Sequence, residues 1–251
     1  MLQRIVFFAY GLVNYVVFLG VVAYSIGFIG NVLTPTAMDA VPTAAFGSAL
    51  AVNAVLLLAF ALQHSGMAQP AFKEAWARIV PPVIERSTYV LFTNAVMILL
   101  FVFWEPMGGI VWAVEDSTLA AVIYAVYALG WVAVVVSTFL MDHFDLFGLR
   151  QVYCHLVDEP YRSPRTDWPG LYRWVRRPLC VGWLVVFWAT PTMTTGHLVF
   201  ALATSVYLFV ATPLEESDES GRFGDRYRGH LRRLKALTLS SRGPRDGRAA
   251  Q

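Results

Sequence analysis

The chain has 251 residues, of which 57% are hydrophobic and only 14% are charged, and its formal net charge is +2. A soluble domain carries about 25% charged residues, so this composition excludes an ordinary water-soluble globule and indicates a multi-pass membrane protein. Two cysteines, Cys154 and Cys180, are too few for a disulfide scaffold or a four-cysteine metal site. We expect no metal centre.

Six stretches contain no Asp, Glu, Lys or Arg. Crossing the hydrocarbon as a helix takes about 20 residues, and continuous rather than alternating apolar runs predict helices instead of barrel strands. The predicted fold is an all-α polytopic bundle of five to six spans, in which the short fifth stretch and the sixth form a C-terminal helical hairpin that turns at Pro191. We predict one membrane domain over residues 1–238 and a flexible tail over residues 239–251. The stretches are residues 5–29, 44–62, 88–104, 118–141, 179–193 and 196–214.

Every Lys and Arg lies at the N-terminus, in the connections after the second and fourth stretches, or after the sixth. The other three connections carry only acidic charges. By the positive-inside rule both termini are therefore expected in the cytoplasm, where the two thiols stay reduced. Topology and anionic lipid account for the arginines, so we expect a lipid bilayer and no nucleic acid as partner.

Strong polar side chains are rare within the stretches, and the sequence favours helix–helix hydrogen bonds over ligand contacts for them. A transporter more typically carries ionisable groups at mid-membrane, so an enzyme at the inner interface is favoured over a pump or channel. These polar residues are Asn14, Asn53, Asn94 and His197.

Three polar clusters follow or precede the stretches. Residues 141–151 are expected to start an interfacial helix rather than form a metal site, because Asp142, His143 and Asp145 would point in different directions. Residues 171–183 hold arginines and a proline suited to a helix start, and residues 214–227 hold adjacent carboxylates. The hairpin would bring the last two clusters together at the cytoplasmic mouth.

These clusters resemble a family signature. Arg176-Arg177-Pro178-Leu179-Cys180-Val181-Gly182, a hairpin, Glu215-Glu216 and Phe223-Gly224-Asp225-Arg226-Tyr227 resemble the C-terminal signature of isoprenylcysteine carboxyl methyltransferase-like membrane enzymes. Residues 62–68, 85–91, 145–151 and 191–198 resemble the bacterial methanethiol S-methyltransferases and their NnrU-type relatives. The resemblance covers about residues 62–234.

The resemblance implies an enzyme of the bacterial cytoplasmic (inner) membrane. Its activity would be transfer of a methyl group from S-adenosyl-L-methionine to a small volatile thiol, methanethiol, giving dimethyl sulfide at the cytoplasmic face. Another thiol or a carboxylate acceptor, and a non-catalytic NnrU-like protein of nitrogen-oxide metabolism, are the alternatives. The sequence leaves the oligomeric state open.

The resemblance also implies the site residues. Carboxylates would serve the ammonium or ribose diol of the cofactor, and an arginine would form a bidentate contact with its carboxylate. The implied cofactor-binding residues are Arg176, Pro178, Gly182, Glu215, Glu216, Gly224 and Tyr227, and the implied catalytic residues are Arg176 and Arg177.

The chain departs from the signature at three positions. Arg177 stands where the family has histidine, and Cys180 and His230 stand where it has tyrosine. A guanidinium cannot act as a base, although it can lower the pKa of a nearby thiol. Reduced activity, a different acceptor and a non-catalytic protein all remain compatible with these departures.

Overall fold

The computed structural model describes residues 1–162 and 178–211, and these are mostly helical. The long helices are α1 (Leu2–Gly30), α2 (Phe46–Gly66), α4 (Pro82–Phe103) and α5 (Ser117–Leu140). The shorter elements are α3 (Pro70–Trp76), β1 (Ile110–Ala113), α6 (His143–Leu146), α7 (Leu149–Leu156), α8 (Pro178–Trp188), β2 (Thr192–Thr194) and α9 (Thr195–Ala211).

The four long helices are long and apolar enough to cross a bilayer, which confirms the predicted all-α membrane bundle. Many of their large apolar side chains point away from the protein. Val13 on α1, Val55 on α2 and Leu129 on α5 are each more than half exposed. Lipid rather than water is the solvent that suits such a surface.

Helices α8 and α9 form the predicted C-terminal hairpin, with its turn at Pro191. Helix α8 has 11 residues and extends about 16 Å, roughly half of a hydrocarbon core of about 30 Å. Phe187 packs edge-on against Phe200, with ring centroids 5.4 Å apart. Counted from this contact, Pro178 and Ala211 lie about 14 and 16 Å along their helices, at the same end of the bundle.

Helix α4 begins six residues before the predicted stretch and contains Glu85 and Arg86 in its first turns. Helix α2 likewise continues past Leu62 to Gly66. Helical turns outside the hydrocarbon can carry polar and charged residues, so a charge-free stretch marks only the part of each helix inside lipid.

The two ends of the bundle differ. We call the end where α2 ends and α4 begins the basic end, since the Lys and Arg side chains of the described residues lie there. The other end, which we call the cap, contains β1 and β2 paired antiparallel, with Ala113 opposite Thr192. Buried Met38 lies in this layer, and its carbonyl accepts a hydrogen bond from Trp104 Nε1 at 3.2 Å. The cap is therefore ordered, and its sheet was not expected from the sequence.

Helices α5 and α8 cross closely at two glycines. A Cβ built on Gly182 would lie 2.9 Å from Val134 Cγ2 and 3.1 Å from the Gly130 carbonyl oxygen, and one built on Gly130 would lie 2.9 Å from Val185 Cγ1. Small residues allow this kind of approach between membrane helices. The crossing gives Gly182 a packing role, and its cofactor role stays a prediction.

We expect Gly182→Ala to lower the stability of the detergent-solubilised protein, because the added methyl group overpacks the α5–α8 crossing, at a cost of about 1–3 kcal/mol. Gly20→Ala is the matched control, since nothing lies within 4 Å of a Cβ built there. Thermal unfolding followed by tryptophan fluorescence measures both variants. Equal melting temperatures for the two would contradict the packing role.

Candidate functional site

The basic end brings together segments that are distant in sequence. Arg86 Nε donates to the Leu146 carbonyl at 2.7 Å, and Ser87 Oγ donates to the Gly148 carbonyl at 3.4 Å. Gly148 has a φ of 83°, and a Cβ there would lie 2.7 Å from the Ser87 nitrogen. Only glycine tolerates both this backbone conformation and this close approach, so it fixes the α6–α7 segment against the start of α4.

His64 and Tyr89 form the centre of this region. The Tyr89 hydroxyl lies 2.9 Å from His64 Nδ1 and donates to the His64 carbonyl at 3.0 Å. Phe60 stacks on the imidazole at 5.2 Å between centroids, with the rings inclined by 14°. The Arg86 guanidinium carbon lies 5.0 Å from the centroid of the Tyr89 ring. A neutral ring, a phenol and a cation therefore adjoin one another where α2 meets α4.

Helix α9 joins this region through Tyr207. Its hydroxyl lies 2.9 Å from the Ser65 hydroxyl, and its ring packs edge-on against Phe60. Helix α9 is described as far as Ala211, four residues beyond Tyr207. The hydroxyl pair therefore fixes the position of α9 beside the histidine of α2.

The predicted site residues are only partly described. Pro178 is buried and begins α8, as the proline at a helix start predicts, and Gly182 lies in the α5–α8 crossing. The segments that carry the others precede α8 and follow α9 in the sequence. Arg176, Arg177, Glu215, Glu216, Gly224 and Tyr227 lie outside the described residues.

His143 is a structural residue of the basic end. Thr138 Oγ1 donates to the Val135 carbonyl, so it must accept from His143 Nδ1–H at 2.8 Å. The other ring nitrogen then accepts from the Tyr15 hydroxyl at 2.8 Å. Both nitrogens of this neutral imidazole are used, and the ring ties α1, α5 and α6 together.

Asp142 and Asp145 do not join His143 in a metal site. Asp142 pairs with Arg150 at 2.6 Å, whereas Asp145 accepts from the Tyr161 hydroxyl at 2.8 Å. Over residues 1–162 and 178–211, no three His, Cys, Asp or Glu side chains are grouped to hold a metal ion. The segment is the interfacial helix start that the sequence favoured.

The cap contains a buried Asp–His pair. His197 is fully buried, and its Nδ1 lies 3.0 Å from Asp39 Oδ2 while its Nε2 lies 3.1 Å from the Phe187 carbonyl. Asp39 also accepts from Thr194 Oγ1 and Asn31 Nδ2. The two ring nitrogens of His197 therefore bond to the connection after α1 and to the end of α8.

Two of the three intramembrane asparagines make the expected hydrogen bonds to another segment, whereas Asn14 Nδ2 donates to the Tyr10 carbonyl of its own helix at 2.8 Å. Asn94 Nδ2 on α4 donates to the Asn14 carbonyl on α1 at 3.1 Å. Asn53 on α2 exchanges two hydrogen bonds with the backbone of Glu105, at 2.7 and 2.9 Å. Each fastens a long helix to a neighbouring segment, as the sequence predicted.

Sequence reasoning assigned no role to Asp39, Tyr89 or Tyr207. Asp39 stands in a short acidic connection that resembles any outer loop, and its partner His197 is 158 residues away. Tyr89 and Tyr207 are aromatic residues in or beside apolar stretches, where packing is the usual role. The segments that resemble the family held the only sequence signal for a role, since Tyr89 falls in residues 85–91 and His64 in residues 62–68.

The chain is similar to several curated proteins. It is 44% identical to methanethiol S-methyltransferase of Crocosphaera subtropica over 94% of this chain and 92% of that protein. It is 44% identical to methanethiol S-methyltransferase of Mycobacterium tuberculosis over 94% and 97%, and 35% identical to nurim of Rattus norvegicus over 80% and 77%. Neither a protein-family model nor a solved structure matches the chain.

We expect the stability of the protein to fall on acidification because of His143. Burial lowers the pKa of His143 from its ordinary value of 6.5, so below about pH 6.5 the unfolded chain binds more protons than the folded one and the free energy of unfolding decreases. Melting temperatures at pH 7.5 and 5.5 should differ less in His143→Gln than in the parent. Equal differences would contradict this role. Burial raises the pKa of Asp145, so Asp145 makes the free energy of unfolding change with pH in the opposite direction. This contribution is the same in the parent and in His143→Gln.

Proposed function

The chain belongs to the methanethiol S-methyltransferase family, and on that premise we propose that it methylates methanethiol to dimethyl sulfide with S-adenosyl-L-methionine as donor. It is a methyltransferase of a multi-pass membrane family. The observation that carries the proposal is the 44% identity to methanethiol S-methyltransferase of Crocosphaera subtropica over 94% of the chain.

The chemistry of the donor set fits S-adenosyl-L-methionine. When bound, this cofactor supplies a methyl group on a cationic sulfonium. Glu215 and Glu216 offer carboxylates to its ammonium or ribose hydroxyls, and Arg176 offers a guanidinium to its carboxylate. Supporting this assignment, α8 begins and α9 approaches its described limit at the same end of the bundle, next to the segments that hold these residues.

The surroundings of the basic end suit a small apolar thiol. The reactive species is the thiolate, and its attack on a cation neutralises charge, so a weakly polar site opposes the reaction less than water does. Phe60, Tyr89 and Tyr207 supply aromatic surface there. Methanethiol partitions into lipid, so it can reach this end of the bundle from the bilayer.

We place the basic end in the cytoplasm. The described cations lie there, among them Arg4, which pairs with Asp158 at 2.7 Å, and Arg150. The positive-inside rule then sets the orientation in a bacterial inner membrane, and the charged cofactor reaches the site from the cytosol without crossing lipid.

We expect inside-out vesicles that contain the protein to convert methanethiol and methyl-deuterated S-adenosyl-L-methionine to trideuterated dimethyl sulfide in the headspace. Right-side-out vesicles should give none until permeabilised, because the charged cofactor does not cross the bilayer. Vesicles without the protein are the control. Product from sealed right-side-out vesicles alone would overturn the orientation, and no product from any preparation would overturn the activity.

We expect Glu216→Gln to weaken cofactor binding about 10- to 150-fold, because one charge-assisted hydrogen bond contributes roughly 1.5–3 kcal/mol. Titration calorimetry with S-adenosyl-L-methionine in detergent measures the change. Glu115→Gln is the control, since Glu115 is exposed at the cap. If Glu216→Gln binds as tightly as Glu115→Gln, Glu216 is not a cofactor ligand.

A further inference from the structure

The methylation of a thiol at neutral pH requires a proton acceptor. A simple alkanethiol is mostly protonated near pH 7, and only its thiolate attacks carbon efficiently. Arg176 and Arg177, the predicted catalytic residues, are permanently protonated guanidinium groups that cannot take the proton. The base must therefore be a different residue, and within residues 1–162 and 178–211 the basic end offers three histidines.

Two of these histidines are unsuitable. Both ring nitrogens of His143 are hydrogen-bonded, to Thr138 and Tyr15. His155 packs against Phe7, and its Nε2 is covered by protein without a hydrogen-bond partner. A thiol entering from lipid or water cannot approach either ring without a rearrangement of the packing.

His64 differs from both. Tyr89 has one hydroxyl proton, and it donates that proton to the His64 carbonyl, which can only accept. The Tyr89 oxygen must then accept from His64 Nδ1–H at 2.9 Å. In a neutral imidazole this leaves a lone pair on Nε2, which makes no hydrogen bond with the described residues, and the residue is only partly buried.

The ring is also held in place for its role. Phe60 stacks on it and Tyr89 lies 5.4 Å away between centroids, so the imidazole has little freedom to turn. A histidine that is oriented through one nitrogen and presents the other is the usual arrangement of a base. Arg86, next to Tyr89, provides the positive charge that favours a thiolate.

On the basis of the proposed function, we propose that His64 is the general base of the methyl transfer and that Tyr89 positions it. The thiol proton passes to His64 Nε2 while the sulfur electron pair forms a bond to the methyl carbon. The bond from that carbon to the sulfonium breaks, and its electron pair stays on the departing sulfur, which becomes a neutral thioether. The imidazolium then returns its proton to water.

The test compares His64→Asn with His155→Asn in the full-length protein. The asparagine amide can keep a donor near the place of Nδ1 and lacks a group equivalent to Nε2, so His64→Asn removes the base with little change to the contact with Tyr89. We expect kcat to fall about 10²- to 10⁴-fold at pH 7, with the cofactor Kd unchanged. The loss of kcat should shrink as the pH rises toward the pKa of the free thiol, because the solution then supplies the thiolate without a base. His155→Asn should keep parental kcat.

A second measurement needs no turnover. In protein labelled with ¹⁵N-histidine, the imidazole signal lost in His64→Asn should be that of a neutral ring protonated at Nδ1, and Tyr89→Phe should alter it. A lost signal protonated at Nε2 would overturn the proposal. A His64→Asn variant that keeps the kcat and pH profile of the parent would overturn it as well. If the parent binds cofactor but methylates no thiol, the proposed function fails instead, whatever the tautomer.

Discussion

Hydrocarbon solvates neither a charge nor an unpaired peptide group, and this constraint places every polar feature of the protein. The long helices satisfy their own backbones, and the polar side chains within them bond to carbonyls, as Asn94 and Ser137 do. Charges are confined to the two ends. Chemistry that needs cations and carboxylates can therefore take place only at these ends. The two ends differ in structure.

The cap is held together by contacts between distant segments, whereas the basic end is built from helix termini. A small sheet and the Asp39–His197 pair fasten the hairpin to the connections of the longer helices. This anchorage fixes the start of α9, and its far end then meets α2 at the Ser65–Tyr207 contact. At the basic end, donors and acceptors belong to short elements and helix ends, where side chains can face a ligand.

Hydropathy predicted the membrane spans because each residue inside the hydrocarbon must itself be apolar. It missed the first turns of α4, where Arg86 already lies beyond the hydrocarbon, and it missed the β1–β2 sheet, whose strands have only four and three residues. It could not identify the His64–Tyr89 contact, because the two residues lie on different helices, 25 positions apart. It could not predict the tautomer of His64 either, because the tautomer depends on a hydrogen bond to a backbone carbonyl, a group that every residue has. Three of the four segments that resemble the family lie at the basic end, and geometry distinguished His64 from His143 and His155 there.

The Asp39–His197 pair has a consequence for biogenesis. The two residues are 158 positions apart, and a ribosome adding about 5–20 residues per second needs about 8–30 s to span that interval. During this time Asp39 lacks its hydrogen-bond partner His197. Asn31 and Trp104 can hold the connection between α1 and α2 before then, whereas its hydrogen bonds to the hairpin form only after the hairpin is made. The order of synthesis therefore completes the cap late.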